Sequence, residues 1–287
     1  MVKEYKFRKS RMKNKKILTT GITAFVLLFV SVHLKAEVKK YVRYTHDDVT
    51  SFGLLEGETV YQLEKAPYLG GGKTGKDYNL KEIRLLAPVE PSKVLAVGFN
   101  YHSHRGDMEL PPHPPIFLKL SSAIIGSDEM IIYHEGINDL HYEAELVAVI
   151  GKKASKVSKE EASDYIFGVT AGNDVSARNW QSMDLQWFRG KASDTFAPVG
   201  PVLVSGLNYK DLLVQSRLNG QVMQSQRTKD HIHDIDAIVS HISQTVTLEP
   251  GDIIYTGTPG TTSSMVPGDV IEIEVEGVGI LKNIISR

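Results

Sequence analysis

The chain of 287 residues contains no cysteine. Disulfide bridges and thiol chemistry are therefore excluded, and any metal site must use other ligands. A nucleotide-binding fingerprint, a coiled-coil pattern and a long repeat are also absent. The glycine-rich stretch LGGGKTG, residues 69–75, lacks the GxxxxGK[ST] spacing of a phosphate-binding loop and indicates a flexible surface loop. These absences remove the nucleotide-dependent classes and leave an ordinary globular composition.

Excess charge of either sign is missing too, since the net charge is only -1. This balance hides an asymmetry. Residues 1–16 hold eight Lys/Arg and one Glu, so the remaining chain has 25 basic and 33 acidic residues. An acidic body of this kind argues against nucleic-acid binding.

Residues Ile17 to Leu34 carry no Asp, Glu, Lys or Arg and follow the basic leader. A basic leader before an apolar run is the layout of a secretory signal or an N-terminal membrane anchor. Ala36 offers a cleavage point, and the positive leader predicts that the body is exported or anchored outside the cytoplasm. A buried core helix in a cytoplasmic protein, or a mis-annotated start, is the alternative. Membrane contact through residues 17–34 is thus one expectation.

The body reads as a mixed α/β, β-rich fold with few long helices. Residues 37–90 predict a small N-terminal β-rich domain, and residues 91–287 a larger catalytic domain. Asn219-Gly220 predicts a two-residue hairpin turn. The apolar spacing between Asp234 and Gln244 predicts an amphipathic helix. In the tail, Pro-Gly-Asp opens two similar strands.

Alternation from Tyr142 to Val149 predicts a β-strand. On this strand Glu143 and Glu145 share one face, where two carboxylates would repel each other unless a cation lies between them. Asp174 follows a second apolar run and is placed to complete a three-carboxylate site. Oxygen ligands alone suit Mg²⁺ or Mn²⁺, with Ca²⁺ as a further option. A simple ion pair with a neighbouring Lys or Arg is the alternative.

A polar, proline-rich loop follows the predicted strand Val94 to Phe99. It carries His104 and Asp107, three residues apart, so one helical turn would bring them into hydrogen-bond reach. A carboxylate that orients an imidazole is the arrangement a general base needs. The alternative is a pair of solvated loop residues.

Eight segments between Lys93 and Asn283 resemble the fumarylacetoacetate hydrolase (FAH) family, in the family's order and with similar spacing. The resemblance is to the acylpyruvase, fumarylpyruvate hydrolase and 2-hydroxyhepta-2,4-diene-1,7-dioate isomerase type, and covers some two-thirds of the chain. The segments are VGFNYHSH, PPIFLKLSSAIIG, HYEAELVAVIGK, GVTAGNDVSARNWQ, QWFRGKASDTFAPVGP, LNGQVMQ, LEPGDIIYTGTPG and PGDVIEIEVEGVGILKN.

The resemblance implies an FAH-like catalytic domain, a homodimer and one Mg²⁺ or Mn²⁺ per subunit. Its metal ligands fall on the three carboxylates already selected. The family's catalytic positions match His104, Asp107 and Lys191, and its substrate-contacting positions match Arg178, Gln181 and Thr258. Many members have Glu at the position of Asp107. The tail TPGTTSSMVPGD is more polar than the usual glycine-rich form.

The implied activity is metal-dependent hydrolysis of a carbon–carbon bond in a 2,4-dioxo acid such as an acylpyruvate or fumarylpyruvate. His104 would activate water, Lys191 would stabilise the oxyanion, and the cation would hold the enolate that cleavage leaves. Within the family, decarboxylation of oxaloacetate or another 2-oxo acid, or its tautomerisation or isomerisation, is the main alternative. A non-catalytic carboxylate-binding protein is the alternative from another class.

Overall fold

The computed structural model describes residues 37–109 and 112–286. These residues lie in one compact unit. The predicted basic leader and its apolar segment, residues 1–36, fall outside the described residues. Within the described ranges, no helix is long and apolar enough to cross a membrane.

The described residues form twenty strands, most of them short, which confirms the predicted β-rich fold. They are β1 (Lys39–His46), β2 (Val49–Glu56), β3 (Thr59–Leu63), β4 (Lys73–Asn79), β5 (Arg84–Leu86), β6 (Val94–Val97), β7 (Ile116–Lys119), β8 (Ile124–Ile125), β9 (Met130–Ile131), β10 (Leu140–His141), β11 (Ala144–Ile150), β12 (Ile166–Asn173), β13 (Ser176–Ala177), β14 (Ala197–Ser205), β15 (Leu213–Leu218), β16 (Gln221–Arg227), β17 (Ile253–Tyr255), β18 (Ser264–Met265), β19 (Val270–Val275) and β20 (Gly279–Ile285).

Twelve of these strands form one mixed sheet. Its main path runs β4-β3-β2-β1-β14-β12-β11-β17-β6-β7, with β5 beside β1 and β8 beside β14. Strand β1 pairs antiparallel with β14, so the N-terminal strands continue the sheet of the remaining chain. A domain boundary near residue 90 stays a prediction.

Strand β11 lies near the middle of that sheet, and all seven of its residues are buried. It pairs antiparallel with β12 on one side and with β17 on the other. A strand covered on both faces favours a continuous apolar sequence, which explains the run AELVAVI. Glu145 interrupts that run. Burial of a carboxylate at this central position is energetically costly unless the group is paired, hydrogen-bonded or bound to a cation.

Two smaller sheets complete the fold, in the orders β13-β10-β18 and β16-β15-β19-β20-β9. The predicted hairpin joins β15 to β16. Asn219 and Gly220 both have positive φ, 51° and 83°, as a two-residue turn of the I′ type requires. The hairpin prediction is therefore confirmed. Strand β18 belongs to the polar tail and pairs with β10 beside the acidic strand.

Four α-helices are present in the described part of the chain: α1 (His102–Arg105), α2 (Arg178–Gln181), α3 (Phe188–Ala192) and α4 (Ile235–Ser243). Helix α4 confirms the prediction for residues 234–244. The side chain of Asp234 caps it by accepting from the backbone N–H of Ala237 at 2.8 Å. Ile235, Ile238 and Ile242 are buried along its inner face.

Candidate active site

Three buried carboxylates meet at the end of the central strand pair. Glu143, Glu145 and Asp174 each offer an oxygen atom, and these atoms lie within 4.8 Å of one another. The exposed fraction of each residue is 4% or less. The structure thus brings together the three residues that the strand pattern selected.

Backbone pairing between β11 and β12 fixes this geometry. Ala144 lies opposite Asn173 in the register, so Glu143 and Asp174 flank the same end of the ladder. The N–H of Asp174 donates to the carbonyl of Glu143 at 3.0 Å. The N–H of Glu143 donates to Oδ1 of Asn173 at 2.9 Å. The two carboxylates are therefore placed by the sheet.

The third carboxylate is held from the neighbouring loop. The N–H of Gly257 donates to Oε2 of Glu145 at 2.6 Å. Gly257 has φ of 106°, and a Cβ there would lie 2.5 Å from Cβ of Asn100. Only glycine fits both this conformation and this approach. Gly257 is a positioning element that the sequence pattern did not reveal.

Two buried lysines contact the acidic cluster. Nζ of Lys191 lies 2.7 Å from Oε2 of Glu143 and 2.7 Å from Oδ2 of Asp174. Nζ of Lys119 donates to Oδ1 of Asp174 and to the carbonyl of Lys191. Lys191 was expected here from the family resemblance. Lys119 was not predicted, although a lysine within the apolar run IFLKL indicates a buried partner.

The charges divide unevenly over the cluster. Burial opposes the charge of Glu143, but Lys191 and Arg178 outweigh it and hold the pKa of Glu143 well below its usual range. Burial also opposes the charge of Lys191, yet Asp174 and Glu143 raise the pKa of Lys191. Burial, and then the neighbouring Asp174 and Glu143, raise the pKa of Glu145 well above its usual value. Glu145 is therefore the carboxyl group whose ionisation the neighbouring cations do not compensate.

This donor set fits a hard divalent cation. Three carboxylates supply only oxygen ligands, the kind Mg²⁺, Mn²⁺ and Ca²⁺ prefer. The carboxylate of Glu145 accepts from the N–H of Gly257 and forms no ion pair with Lys119 or Lys191, so the lysines leave this end of the cluster uncompensated. A bound cation would remove the electrostatic cost of ionising Glu145 beside the other two carboxylates. The alternative of a simple ion pair describes Glu143 and Asp174, but it leaves Glu145 unexplained.

The wall beside Glu143 is formed by α2 and α3. NH2 of Arg178 donates to Oε1 of Glu143 at 2.6 Å, and NH1 donates to Oε1 of Gln181 at 2.8 Å. A Cβ on Gly190 would lie 2.7 Å from Cα of Gln181. Gly190 therefore permits the close contact of α3 with α2, which brings Lys191 and Arg178 to the same carboxylate.

His104 projects from α1 toward the cluster. Its Nε2 lies 3.7 Å from Oε1 of Glu143, and its Nδ1 lies 2.6 Å from the carbonyl oxygen of Gly260. Because a carbonyl only accepts, Nδ1 carries hydrogen and Nε2 is the atom that can exchange a proton with a substrate. The structure therefore places a titratable nitrogen at the acidic cluster.

The predicted hydrogen bond between His104 and Asp107 is not formed, and that expectation is corrected. Helix α1 ends at Arg105, and Gly106 follows with φ of 61°, so the turn that would align the two residues is broken. Asp107 is exposed and has no hydrogen bond or ion pair with any residue in the described ranges. The carbonyl of Gly260 takes the place of the carboxylate.

Thr258 lines the pocket, and much of its hydrogen-bonding capacity is already used. Its hydroxyl donates to the carbonyl of Ala144 at 2.9 Å, and Nε2 of Gln224 donates to its oxygen at 2.9 Å. Gln224 is buried as well. Thr258 thus ties the tail to β11, and a substrate contact would use its remaining lone pair.

The pocket and the open solvent at its mouth together comprise about 310 Å³. All predicted site residues except Asp107 line it, and its opposite wall is aromatic. Trp187 packs edge-on against Phe99 and Phe117, with centroid distances of 6.1 and 5.2 Å. Trp187 and Phe99 have positive φ values of 56° and 55°. Left-handed backbone at bulky residues is costly and clusters at functional sites. This wall was not predicted.

Comparison with known proteins identifies the class. The model of the fumarylacetoacetate (FAA) hydrolase C-terminal domain matches residues 93–286. The chain belongs to the fumarylacetoacetate hydrolase family. A second model, for the Rv2993c-like N-terminal region, matches residues 39–88.

Three relatives illustrate the range within that family. Oxaloacetate tautomerase YisK of Bacillus subtilis is 39% identical over 223 residues, which cover 72% of this chain and 74% of YisK. The crystal structure of 2-hydroxyhepta-2,4-diene-1,7-dioate isomerase from Mycobacterium marinum is 40% identical, with a TM-score of 0.81, covering 87% of this chain and 98% of that one. Fumarylacetoacetate hydrolase from Exiguobacterium antarcticum is 31% identical, with a TM-score of 0.76, covering 86% and 99%.

Proposed function

We propose that this protein is a divalent-metal-dependent isomerase that interconverts the keto and enol forms of a 2-oxo acid. The observation that carries this proposal is the pairing of a buried three-carboxylate cluster with a single imidazole nitrogen, Nε2 of His104, at its edge. Keto–enol conversion needs one group that moves a proton and one region that stabilises an oxyanion. It needs no activated water.

Glu143, Glu145 and Asp174 would hold Mg²⁺ or Mn²⁺. When bound, such an ion supplies Lewis-acid polarisation of a carbonyl oxygen and a template for the adjacent carboxylate. The protein supplies the remaining parts. Nζ of Lys191 has three donors, of which Glu143 and Asp174 take two, so one remains for a substrate oxygen.

The proton transfer is assigned to His104. Nε2 of His104 removes a proton from C3 of the 2-oxo acid, while the electron pair of that C–H bond moves to form the enol double bond. The oxygen at C2 takes up a proton to complete the isomerisation, so atoms and charge balance. The carbonyl of Gly260 holds the Nδ1–H and thereby keeps Nε2 directed at the pocket.

Carbon–carbon bond hydrolysis of a 2,4-dioxo acid is the second candidate. The match to the FAA hydrolase model and the likeness to the Exiguobacterium hydrolase favour it. Hydrolysis adds the task of activating water, for which an ionised carboxylate would make His104 a stronger base than its neutral partner, the carbonyl of Gly260, does. Because Asp107 is exposed and separate from His104, isomerisation is the reaction that this geometry supports better.

The test uses the purified full-length protein, stripped with a chelator and then supplied with Mg²⁺ or Mn²⁺. Oxaloacetate and acylpyruvates are offered in parallel, with the enol followed by ultraviolet absorbance and the products identified by NMR. We expect metal-restored loss of enol without new products, absent in His104→Asn but retained in His102→Asn on the same helix. Acid pairs from acylpyruvate would instead establish the hydrolase, and pyruvate from oxaloacetate would establish a decarboxylase.

A further inference from the structure

A chain of hydrogen bonds runs from Asp139 to Arg178 beside the acidic cluster. Oδ1 of Asp139 lies 2.8 Å from Nε2 of His141. Nδ1 of His141 lies 2.7 Å from Oγ1 of Thr262. That hydroxyl oxygen also accepts from NH2 of Arg178 at 3.1 Å. The four side chains come from three separate segments, so tertiary structure assembles the chain.

Each group in this series of hydrogen bonds acts as a defined donor or acceptor. Ionised Asp139 can only accept and Arg178 can only donate. Nε2 of His141 therefore donates to Asp139, and its Nδ1 accepts the hydroxyl hydrogen of Thr262. The oxygen of Thr262 remains free to accept from Arg178. The directions are consistent from one end to the other.

Strand pairing fixes the backbone around this series of hydrogen bonds. His141 lies opposite Ser264 in the pairing of β10 with β18. The N–H of Arg178 donates to the carbonyl of Asp139 at 2.8 Å. Tyr142, which is fully buried, bonds through its hydroxyl to Oγ of Ser263 at 3.1 Å. These backbone contacts therefore fix the position of Thr262 relative to His141 and Arg178.

The result is a guanidinium held at three points. NH2 of Arg178 gives its two hydrogens to Glu143 and Thr262, and NH1 gives one to Gln181. Among the residues that the structure describes, these bonds use three of its five donors. One NH1 hydrogen and the Nε hydrogen are left for a ligand. They lie on different edges of the guanidinium, so each can donate singly to a ligand oxygen.

We propose that Thr262, His141 and Asp139 are positioning residues that orient Arg178 for recognition of a substrate carboxylate. This inference rests on the proposed function, because it assigns Arg178 to the substrate of that same site. It also explains the polar tail of this chain. A glycine at position 262 would leave Arg178 without one of its three anchors.

A hydroxyl, an imidazole and a carboxylate in series also resemble a nucleophilic triad. Two observations favour positioning over attack. The oxygen of Thr262 already accepts from the cationic Arg178, which lowers its nucleophilicity. Thr262 is not among the residues that line the pocket, whereas Arg178 is. The hydroxyl therefore acts on the arginine.

The test compares Thr262→Val with the matched control Thr261→Val in the full-length protein. Thr261 is exposed and its side chain makes no hydrogen bond with a described residue. The probe is oxalate, a dianion with adjacent carboxylates, titrated calorimetrically in the presence of Mg²⁺. We expect Thr262→Val to weaken oxalate binding and raise KM about tenfold, the usual effect of losing a hydrogen bond to a charged group. Mg²⁺ affinity without oxalate and kcat should change less than about twofold, since neither the metal ligands nor His104 are altered. His141→Leu should act in the same direction, and Thr262→Ser should restore binding.

Unchanged oxalate affinity and KM in Thr262→Val would overturn the inference and leave the proposed function standing. Failure of the wild-type protein to bind oxalate with Mg²⁺ would also overturn it. Covalent labelling of Thr262 by a fluorophosphonate would make it a nucleophile and likewise overturn the positioning role. If no 2-oxo acid is turned over but Thr262→Val still weakens oxalate binding, the inference holds and the proposed function fails.

Discussion

Lys119 and Asp174 form an ion pair without solvent contact, with 0% and 1% of their side chains exposed. The pair lies behind the acidic cluster, so Asp174 contacts two lysines while Glu145 contacts neither. The cluster is therefore partly neutralised at one end and repulsive at the other. This asymmetry leads to opposite expectations for the two ends.

Replacement of Glu145 by Gln should stabilise the metal-free protein. The pKa of Glu145 is raised in the folded state by burial and by Asp174 and Glu143, so ionisation of this group opposes folding. We expect a thermal midpoint at pH 7 equal to or above that of the wild type when no metal is present. The difference in thermal midpoint between Glu145→Gln and the wild type should close as pH falls toward the unfolded pKa of about 4.3, because the folded and unfolded wild-type protein then both hold the proton.

The same substitution should abolish the rise in thermal midpoint that Mg²⁺ or Mn²⁺ gives the wild type, since a ligand that binds only the folded state stabilises it. Glu135→Gln, an exposed carboxylate outside the cluster, is the control and should keep the full metal response. A Glu145→Gln protein that kept the response would remove Glu145 from the metal site.

Replacement of Lys119 by Met should destabilise the metal-free protein, in contrast to Glu145→Gln. Loss of Lys119 removes one of the two cations at Asp174 and leaves Lys191, so the cost should be at or below about 3 kcal/mol, the lower end for breaking a buried ion pair. We expect denaturant unfolding of the metal-free protein to shift by this order, and Mg²⁺ to recover part of it by offsetting Asp174. The double variant Lys119→Met/Asp174→Asn should lose less than the sum of the single variants. Additive losses would show that the two residues do not interact.

The sequence allowed the acidic cluster to be predicted because its geometry is local. Residues two apart in extended backbone share a face, so periodicity selected Glu143 and Glu145, although β11 begins at Ala144 and Glu143 lies just before it. The hairpin and α4 also rest on neighbouring residues, through a left-handed turn and a capped apolar face. In each case the physical cause lies within a few residues of the chain.

The remaining contacts depend on distant segments. The partner of His104 proved to be the carbonyl of Gly260, which any residue could supply, so no side-chain pattern marks it. The contact of Lys119 with Asp174 spans 55 positions. The hydrogen bond between Thr262 and His141 spans 121. Such pairs become visible only when sheet pairing brings the strands together.

The cap of α4 gives a stability test away from the site. Partial burial opposes the charge of Asp234, but Lys159 and the N–H of Ala237 outweigh it and lower its pKa. Asp234→Ala should cost about 1 kcal/mol, whereas Asp234→Asn keeps an oxygen acceptor and should cost less. Since the folded pKa lies below the unfolded one, the advantage of wild type over Asp234→Asn should be lost as pH falls through the folded value. Thermal midpoints of the wild type and Asp234→Asn between pH 7 and 3 measure this advantage. A difference that stayed constant over this range would contradict the prediction.

Trp187 should report ligand binding by fluorescence. The chain has two tryptophans, and only Trp187 lines the pocket, while Trp180 is 9% exposed and outside it. A dianion that enters with Mg²⁺ must displace water from the half-buried indole of Trp187, so its emission should change. We expect oxalate with Mg²⁺ to alter the emission of the wild type and of Trp180→Phe, with no response in Trp187→Phe. A response that survived in Trp187→Phe and disappeared in Trp180→Phe would place the ligand away from the aromatic wall.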